Sequence, residues 1–234
     1  MRRSSRLLVI ATVVAVATGC STFSDNDLAA KVGDAELTQA QLSDRLADLD
    51  NTDNAPERVD GGVARAQITS WIRQAVADDV GLLDQYAAGD GSLPITCFYV
   101  VPVTDRAQGD QVLSRLRDGE EWDAVAGSIS PEAAAQSRQP CTAVSTLIPE
   151  VADTLGALKP GEPQVIELGD PVSTFVVRAH DIDELDIDEF LNAVATADQT
   201  LLQDFIAGAG DSGVYVDPRF GDFDPDQFSV IPLG

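Results

Sequence analysis

Residues 148–180 read IPEVADTLGALKPGEPQVIELGDPVSTFVVRAH. Three local signals follow one another in this stretch. Pro149–Leu158 reads as a short helix. Lys159-Pro160-Gly161-Glu162 then makes a turn, because proline presets φ at one central position and glycine accepts positive φ at the next. Gln164–Leu168 and Thr174–Ala179 are rich in β-branched and apolar residues. They read as two strands on either side of a Gly169-Asp170-Pro171 loop.

Upstream, Ile95–Val103 is aromatic and β-branched and reads as a strand. Asp105–Gly119 is helical, with Val112, Leu113 and Leu116 inward and a glycine stop. Trp122–Ile129 makes a second short helix, Pro131–Gln139 is polar and irregular, and Cys141–Val144 fits a short strand. The resulting order, β-α-α-β-α-β-β with a mixed short sheet, sets the class as α+β.

The flanks differ in character. Gly89-Asp90-Gly91-Ser92 marks the boundary on the N-terminal side. Before it, Val63–Ala88 reads as one long amphipathic helix with Ile68, Trp71, Ile72, Ala75, Val76 and Val80 on one face, and Trp71 reads as core. Asn51–Gly62 is a loop. Ala29–Thr38 reads as strand, turn, strand and helix cap, with Leu42, Leu46 and Leu49 at helical spacing after Thr38. Beyond residue 180, the acidic run Asp181–Glu189 opens a helix over Ile187–Ala207, which Gly208, Gly210 and Gly213 end. Val214-Tyr215-Val216 is a short strand candidate, and Asp217–Gly234 reads as irregular. Two strands this short leave backbone groups unpaired unless they find each other. Residues 30–32 and 214–216 are therefore expected to pair. The chain then divides into 21–92 and 181–234, which form one mainly helical unit, and an inserted α+β domain over 93–180.

The chain carries 15 basic and 39 acidic residues, a formal net charge of −24. That balance argues against nucleic acid or anionic head groups as partners, since both require a basic face. Apolar residues make up 44% of the chain, enough for a real core. The single histidine, His180, leaves no Ser-His-Asp set. No Cys or His spacing suits a metal. The alternating acids Asp181 and Asp183, and Asp222, Asp224 and Asp226, lack a calcium loop's glycine and terminal glutamate and read as solvated loops. No cofactor is implied.

Residues 1–20, MRRSSRLLVIATVVAVATGC, have the form of a secretory signal: three arginines, an apolar stretch and small residues before Cys20. This segment resembles a bacterial lipoprotein signal, with Ala17 where leucine is commoner. The resemblance implies lipidation at Cys20 and attachment to the outer face of the cell membrane. An exported chain permits oxidation, so the remaining cysteines, Cys97 and Cys141, are expected to pair. The alternative is two separate buried thiols.

Residues 95–180 resemble a parvulin-type prolyl isomerase domain. The resemblance rests on Ile148-Pro149-Glu150-Val151 through Ala157-Leu158-Lys159-Pro160-Gly161-Glu162, and on Leu116-Arg117-Asp118-Gly119-Glu120-Glu121-Trp122. It also rests on the closing strands Val165–Leu168 and Phe175–Arg178. The flanks Val32–Thr38 and Val214–Gly221 resemble those of SurA- and PrsA-like exported chaperones. The resemblance places the family's two strand histidines at Cys97 or Phe98 and near Phe175. It places its apolar prolyl pocket at Leu147, Val151 and Gly156, where the family has a methionine and two phenylalanines, so the pocket is thinned. SPEAAAQSRQPCT (130–142) replaces the family's central acidic or cysteine segment. His180 lies past the last strand and reads as a surface residue.

Isomerisation needs a grip on the proline and a surface that favours the twisted amide, against a barrier of about 18–20 kcal/mol. The substituted positions imply the scaffold without efficient turnover. The expected function is binding of unfolded or partly folded exported polypeptides by a membrane-anchored chaperone. The rivals are an active prolyl isomerase using Cys97, Ser130 or Thr174, and a scaffold lipoprotein docking a folded envelope partner.

Overall fold

The computed structural model describes residues 27–50, 60–169 and 172–234. Residues 1–26 with Cys20, most of the expected Asn51–Gly62 loop, and Asp170 and Pro171 lie outside the described residues.

Strands β1 (Leu28–Val32) and β2 (Ala35–Thr38) form an antiparallel hairpin. Thr38 and Gln41 cap helix α1 (Gln39–Asp50) reciprocally. The Gln41 N–H donates to Thr38 Oγ1 at 3.2 Å and the Thr38 N–H to Gln41 Oε1 at 2.8 Å. Asp60 caps α2 (Gly61–Asp79) by accepting from the N–H groups of Gly62 and Val63. The single helix expected over 63–88 is in fact two. Gly81 sits at φ 74, a left-handed conformation that ends α2 and admits α3 (Leu82–Ala88) on a new axis. Leu82, Leu83 and Tyr86 of α3 are thereby buried.

The middle of the chain runs β3 (Ile95–Thr96), β4 (Phe98–Val103), α4 (Arg106–Arg117), α5 (Trp122–Ile129), α6 (Pro131–Ala135), β5 (Thr142–Ala143), α7 (Pro149–Leu155), β6 (Gln164–Leu168) and β7 (Ser173–Ala179). Helix α6 was not foreseen. Ser130 makes it by accepting from the Ala133 N–H at 2.9 Å, with Pro131 in the first turn. The sheet is antiparallel rather than mixed: β4-β7-β6 in one piece and β3-β5 in another. The Lys159–Glu162 turn forms as read, with Gly161 at φ 74 and the Glu162 N–H donating to the Lys159 carbonyl.

After residue 180 the structure departs further from the sequence reading. One helix was expected over 187–207; two are present, α8 (Ile187–Ala197) and α9 (Gln199–Asp211). Asp198 is extended at φ −152 and its carboxylate accepts from the Thr200 N–H at 2.7 Å, so it closes one helix and caps the next. Gly208 and Gly210 lie inside α9 instead of ending it. A Cβ on Gly208 would overlap the Val80 side chain, so this glycine is where α9 passes the end of α2. Strand β8 (Tyr215–Val216) pairs with β1, Ala30 opposite Val216 and Lys31 opposite Tyr215, as expected. The C-terminal segment is not irregular: β9 (Asp222–Asp224) and β10 (Ser229–Ile231) make a hairpin. Its Phe228 packs on Phe205 and Phe223, with ring centroids 4.7 and 5.4 Å away. The Val230 N–H donates to the Thr69 hydroxyl at 2.9 Å.

Both chain ends contribute to one core, which includes Val32, Leu42, Ile68, Ile72, Val76, Phe190, Val194, Phe205 and Val230. Trp71 packs half-buried against it. Leu93, Ile95 and Cys97 belong to the same core. The register Ile95 opposite Ala143 and Thr96 opposite Thr142 brings Cys141 to Cys97, and the two are disulfide-bonded with Cα atoms 4.0 Å apart. Tyr86 closes the same seam. Its hydroxyl donates to the His180 carbonyl at 2.9 Å and lies 3.3 Å from that of Cys97. No described helix is long and apolar enough to cross a membrane.

Two outcomes test this packing. The disulfide spans a sequence separation of 44, so Cys141→Ser should lower unfolding free energy by about 3–4 kcal/mol in a denaturant titration. Gly208→Val forces α9 away from Val80 and should cost about 1–3 kcal/mol in the same measurement.

Candidate functional site

Alternation along β4 sends its side chains to two different environments. Phe98, Val100 and Pro102 face one side, opposite Ala179, Val177 and Phe175 of β7. Ile166 and Leu168 of β6 continue that face. Helix α7 covers part of it with Val151 and Leu155. Ile129, Ser130, Glu132, Ala133 and Gln136, from the α5–α6 corner and α6, close another wall together with Gln139. A cleft of about 500 Å³ remains between them. Its floor is apolar, and its polar groups stand along the α6 wall. Among the described residues, Glu132 is the one ionisable side chain lining it.

Pro102 suits this edge. The Val100 N–H points away from β7 and donates to the Ser137 carbonyl at 2.7 Å. Pro102, two residues on, has its nitrogen on the same outer side, so its missing N–H removes no β4–β7 bond.

The cleft gathers some of the positions singled out by sequence and excludes others. Phe98, Val151 and Phe175 line it, and Leu147 packs in the same apolar cluster. Cys97 does not line it: one residue of alternation turns it to the opposite side, into the disulfide and the main core. Gly156 does not line it either. It follows α7, and a Cβ there would meet the Ala152 carbonyl and the Val144 side chain. Of the three residues considered for an enzyme, Ser130 alone reaches the cleft, and its hydroxyl caps α6. Thr174 is buried, paired with Val103 and Glu167 rather than with residues of the cleft face. Sequence reading missed Val100, Pro102 and the α6 wall. The alternation of Phe98, Val100 and Pro102 was a usable signal for the first two, but the wall depends on a helix that composition concealed.

The other face of the sheet is closed by α4 and α5 around Val101, Val112, Trp122, Val125 and Val176. At its end the Arg178 guanidinium lies 5.0 Å from the Tyr99 ring centroid and 5.8 Å from that of Trp122. Its ion pairs are with Glu184 at 2.5 Å and Asp181 at 3.3 Å. His180 is not a surface residue. It is fully buried, its ring 4.4 Å from Tyr99, because its backbone N–H bonds the Cys97 carbonyl and continues the sheet inward. Neither ring nitrogen meets a hydrogen-bond partner of normal geometry. Burial, with Arg138 and Arg178 nearby, holds its pKa down at about 4, against the opposing pull of Glu184 and the Phe98 backbone. Among the described residues no group of three or more His, Cys, Asp or Glu side chains is placed to hold a metal ion.

His180 gives the fold a pH dependence of definite sign. Its folded pKa of about 4 lies below the unfolded value of 6.5, so between these values the unfolded chain binds the extra proton and stability falls as pH falls. From pH 7 to pH 5 this amounts to about 2 kcal/mol. Denaturant titrations at the two pH values should show that loss in the wild type and not in His180→Phe. In comparisons with known proteins, no family model matches this chain and no curated protein matches it significantly.

Proposed function

We propose that the protein is a lipid-anchored extracytoplasmic chaperone of parvulin-like architecture. It holds apolar segments of exported, incompletely folded polypeptides, and its prolyl isomerase scaffold has lost efficient turnover. The observation that carries this reading is the 500 Å³ cleft floored by Phe98, Val100, Ile166, Phe175 and Val177. Such a volume takes an apolar side chain with adjoining backbone. Ile148, one turn before Val151, and Val172, shortly before Phe175, are 64% and 67% exposed, so further apolar surface flanks the elements that build the cleft. Ser130, Gln136 and Gln139 along one wall can exchange hydrogen bonds with a bound main chain.

Little in the lining could favour a twisted amide over a planar one. The groups that the parvulin resemblance would place there as histidines are Phe98 and Phe175, which offer contact but no hydrogen bond. Each lost transition-state hydrogen bond costs about 3 kcal/mol. Binding, by contrast, draws on apolar contact spread over several side chains.

Two assays on the purified mature chain test the reading. In the first, the chain suppresses aggregation of an unfolded client, and Phe175→Asp, which places a charge in the cleft, weakens that by about tenfold or more. In the second, a protease-coupled assay on Xaa-Pro peptides gives rates orders of magnitude below an active parvulin. Equal rates that vanish in Ser130→Ala would establish the enzyme instead. Suppression unchanged by Phe175→Asp would remove the cleft from the function.

A further inference from the structure

The α6 wall of the cleft carries one charge, and its setting points to a rule for what the cleft selects. Glu132 stands in the first turn of α6, exposed, on the rim of an otherwise uncharged lining. Among the described residues it takes part in no salt bridge. Glu189, Asp188 and Glu184, by contrast, are each matched by an arginine. The wall also holds Ser130, Gln136 and Gln139, neutral groups able to bond a main chain, so a bound segment would run within reach of the carboxylate. The residues are placed by the fold. Pro131 and the Ser130 cap start α6, and α6 packs against β4, which supplies the cleft floor.

We infer that Glu132 is a specificity residue of this cleft: it favours polypeptide segments with a lysine or arginine within about two residues of the apolar side chain held on the floor, and it disfavours segments with an acid there. This rests on the binding function proposed above and deepens it. Two physical reasons support the occupant. An ammonium or guanidinium at the rim gains an attraction to a carboxylate that no neighbouring cation already neutralises. An acidic flank meets repulsion both from Glu132 and from a chain of net charge −24. Side chains two apart on an extended segment face the same way at about 7 Å spacing. One segment can therefore seat an apolar group on the floor while the adjoining long basic side chain reaches the rim.

Charge at large and charge at Glu132 can be separated. Three fluorescent peptides share one central apolar residue and carry lysine, glutamine or glutamate flanks. Their affinities are measured by anisotropy for the wild type, Glu132→Gln and Glu132→Lys at low and at high salt. The expected result is about a threefold preference for the lysine over the glutamine peptide in the wild type at low salt. That preference should shrink in Glu132→Gln, reverse in Glu132→Lys, and fade at high salt for all three. The glutamine peptide, with no charged flank, should vary least among the three proteins. A lysine preference of the same size in all three would overturn the inference and assign selectivity to the overall charge. Binding without any discrimination overturns it too, while leaving the cleft as a binding site. If no peptide binds, the cleft reading and this inference fall together. Circular dichroism of the two variants, expected unchanged, excludes misfolding as the cause of any difference.

Discussion

Antiparallel register between Phe98–Val103 and Thr174–Ala179 underlies the rest of the inserted domain. It sets Phe98 against Ala179, Val100 against Val177 and Pro102 against Phe175 on one face, and Tyr99 against Arg178 and Val101 against Val176 on the other. A slip of one residue would exchange the two sets. The cleft would then be floored by Tyr99 and Arg178, and Phe98 would face α4 and α5. The register is held at one end by the His180 N–H to Cys97 carbonyl bond and by the Tyr86 hydroxyl, which lies against both strand ends.

Those restraints come from different parts of the chain, and this ties the two halves of the molecule together. Tyr86 belongs to the helical part built from the chain ends, where its ring packs edge-on to Phe190 at 5.8 Å. Cys97 sits in the same core as Phe190 and Val194. A buried tyrosine and this shared core join the sheet to the helices under it at one seam. The opposite end of the sheet, near Phe175, Leu168 and the exposed Val172, carries no such fastening among the described residues. The cleft face thus has a fastened root, and the exposed Val172 lies at its open end.

Much of the fold was legible locally. The Lys159–Glu162 turn, the helix beginning at Asp105, the Trp122–Ile129 helix and both strands of the closing hairpin announce themselves through residues whose conformational preferences are strong by themselves. The misreadings have two causes. Gly81 and Asp198 interrupt helices through their own backbone conformation, whereas the meaning of Gly208 depends on what lies across from it. Gly81 breaks a helix at positive φ, and Asp198 breaks another while capping its successor. Gly208, which looks like a helix stop, is a close-approach residue inside one. The C-terminal hairpin was hidden in the same way, since Phe228 and Val230 are held by Phe205, Arg73 and Thr69, far away in sequence.

For the site, the sequence by itself determined which residues are apolar and where a strand must run, and it made a Cys97–Cys141 pair the expectation, which the structure bears out. It left open whether Cys97 or Phe98 faces the cleft, because neighbours on a strand point oppositely and only the paired register says which way is inward. It placed His180 on the surface, although the chain continues the sheet into the core at that point and buries the ring. Tertiary structure alone decided that Ser130, Glu132 and Gln136 face Phe175. Nothing local links a five-residue helix to a strand some forty residues later; the packing of α6 on β4 does.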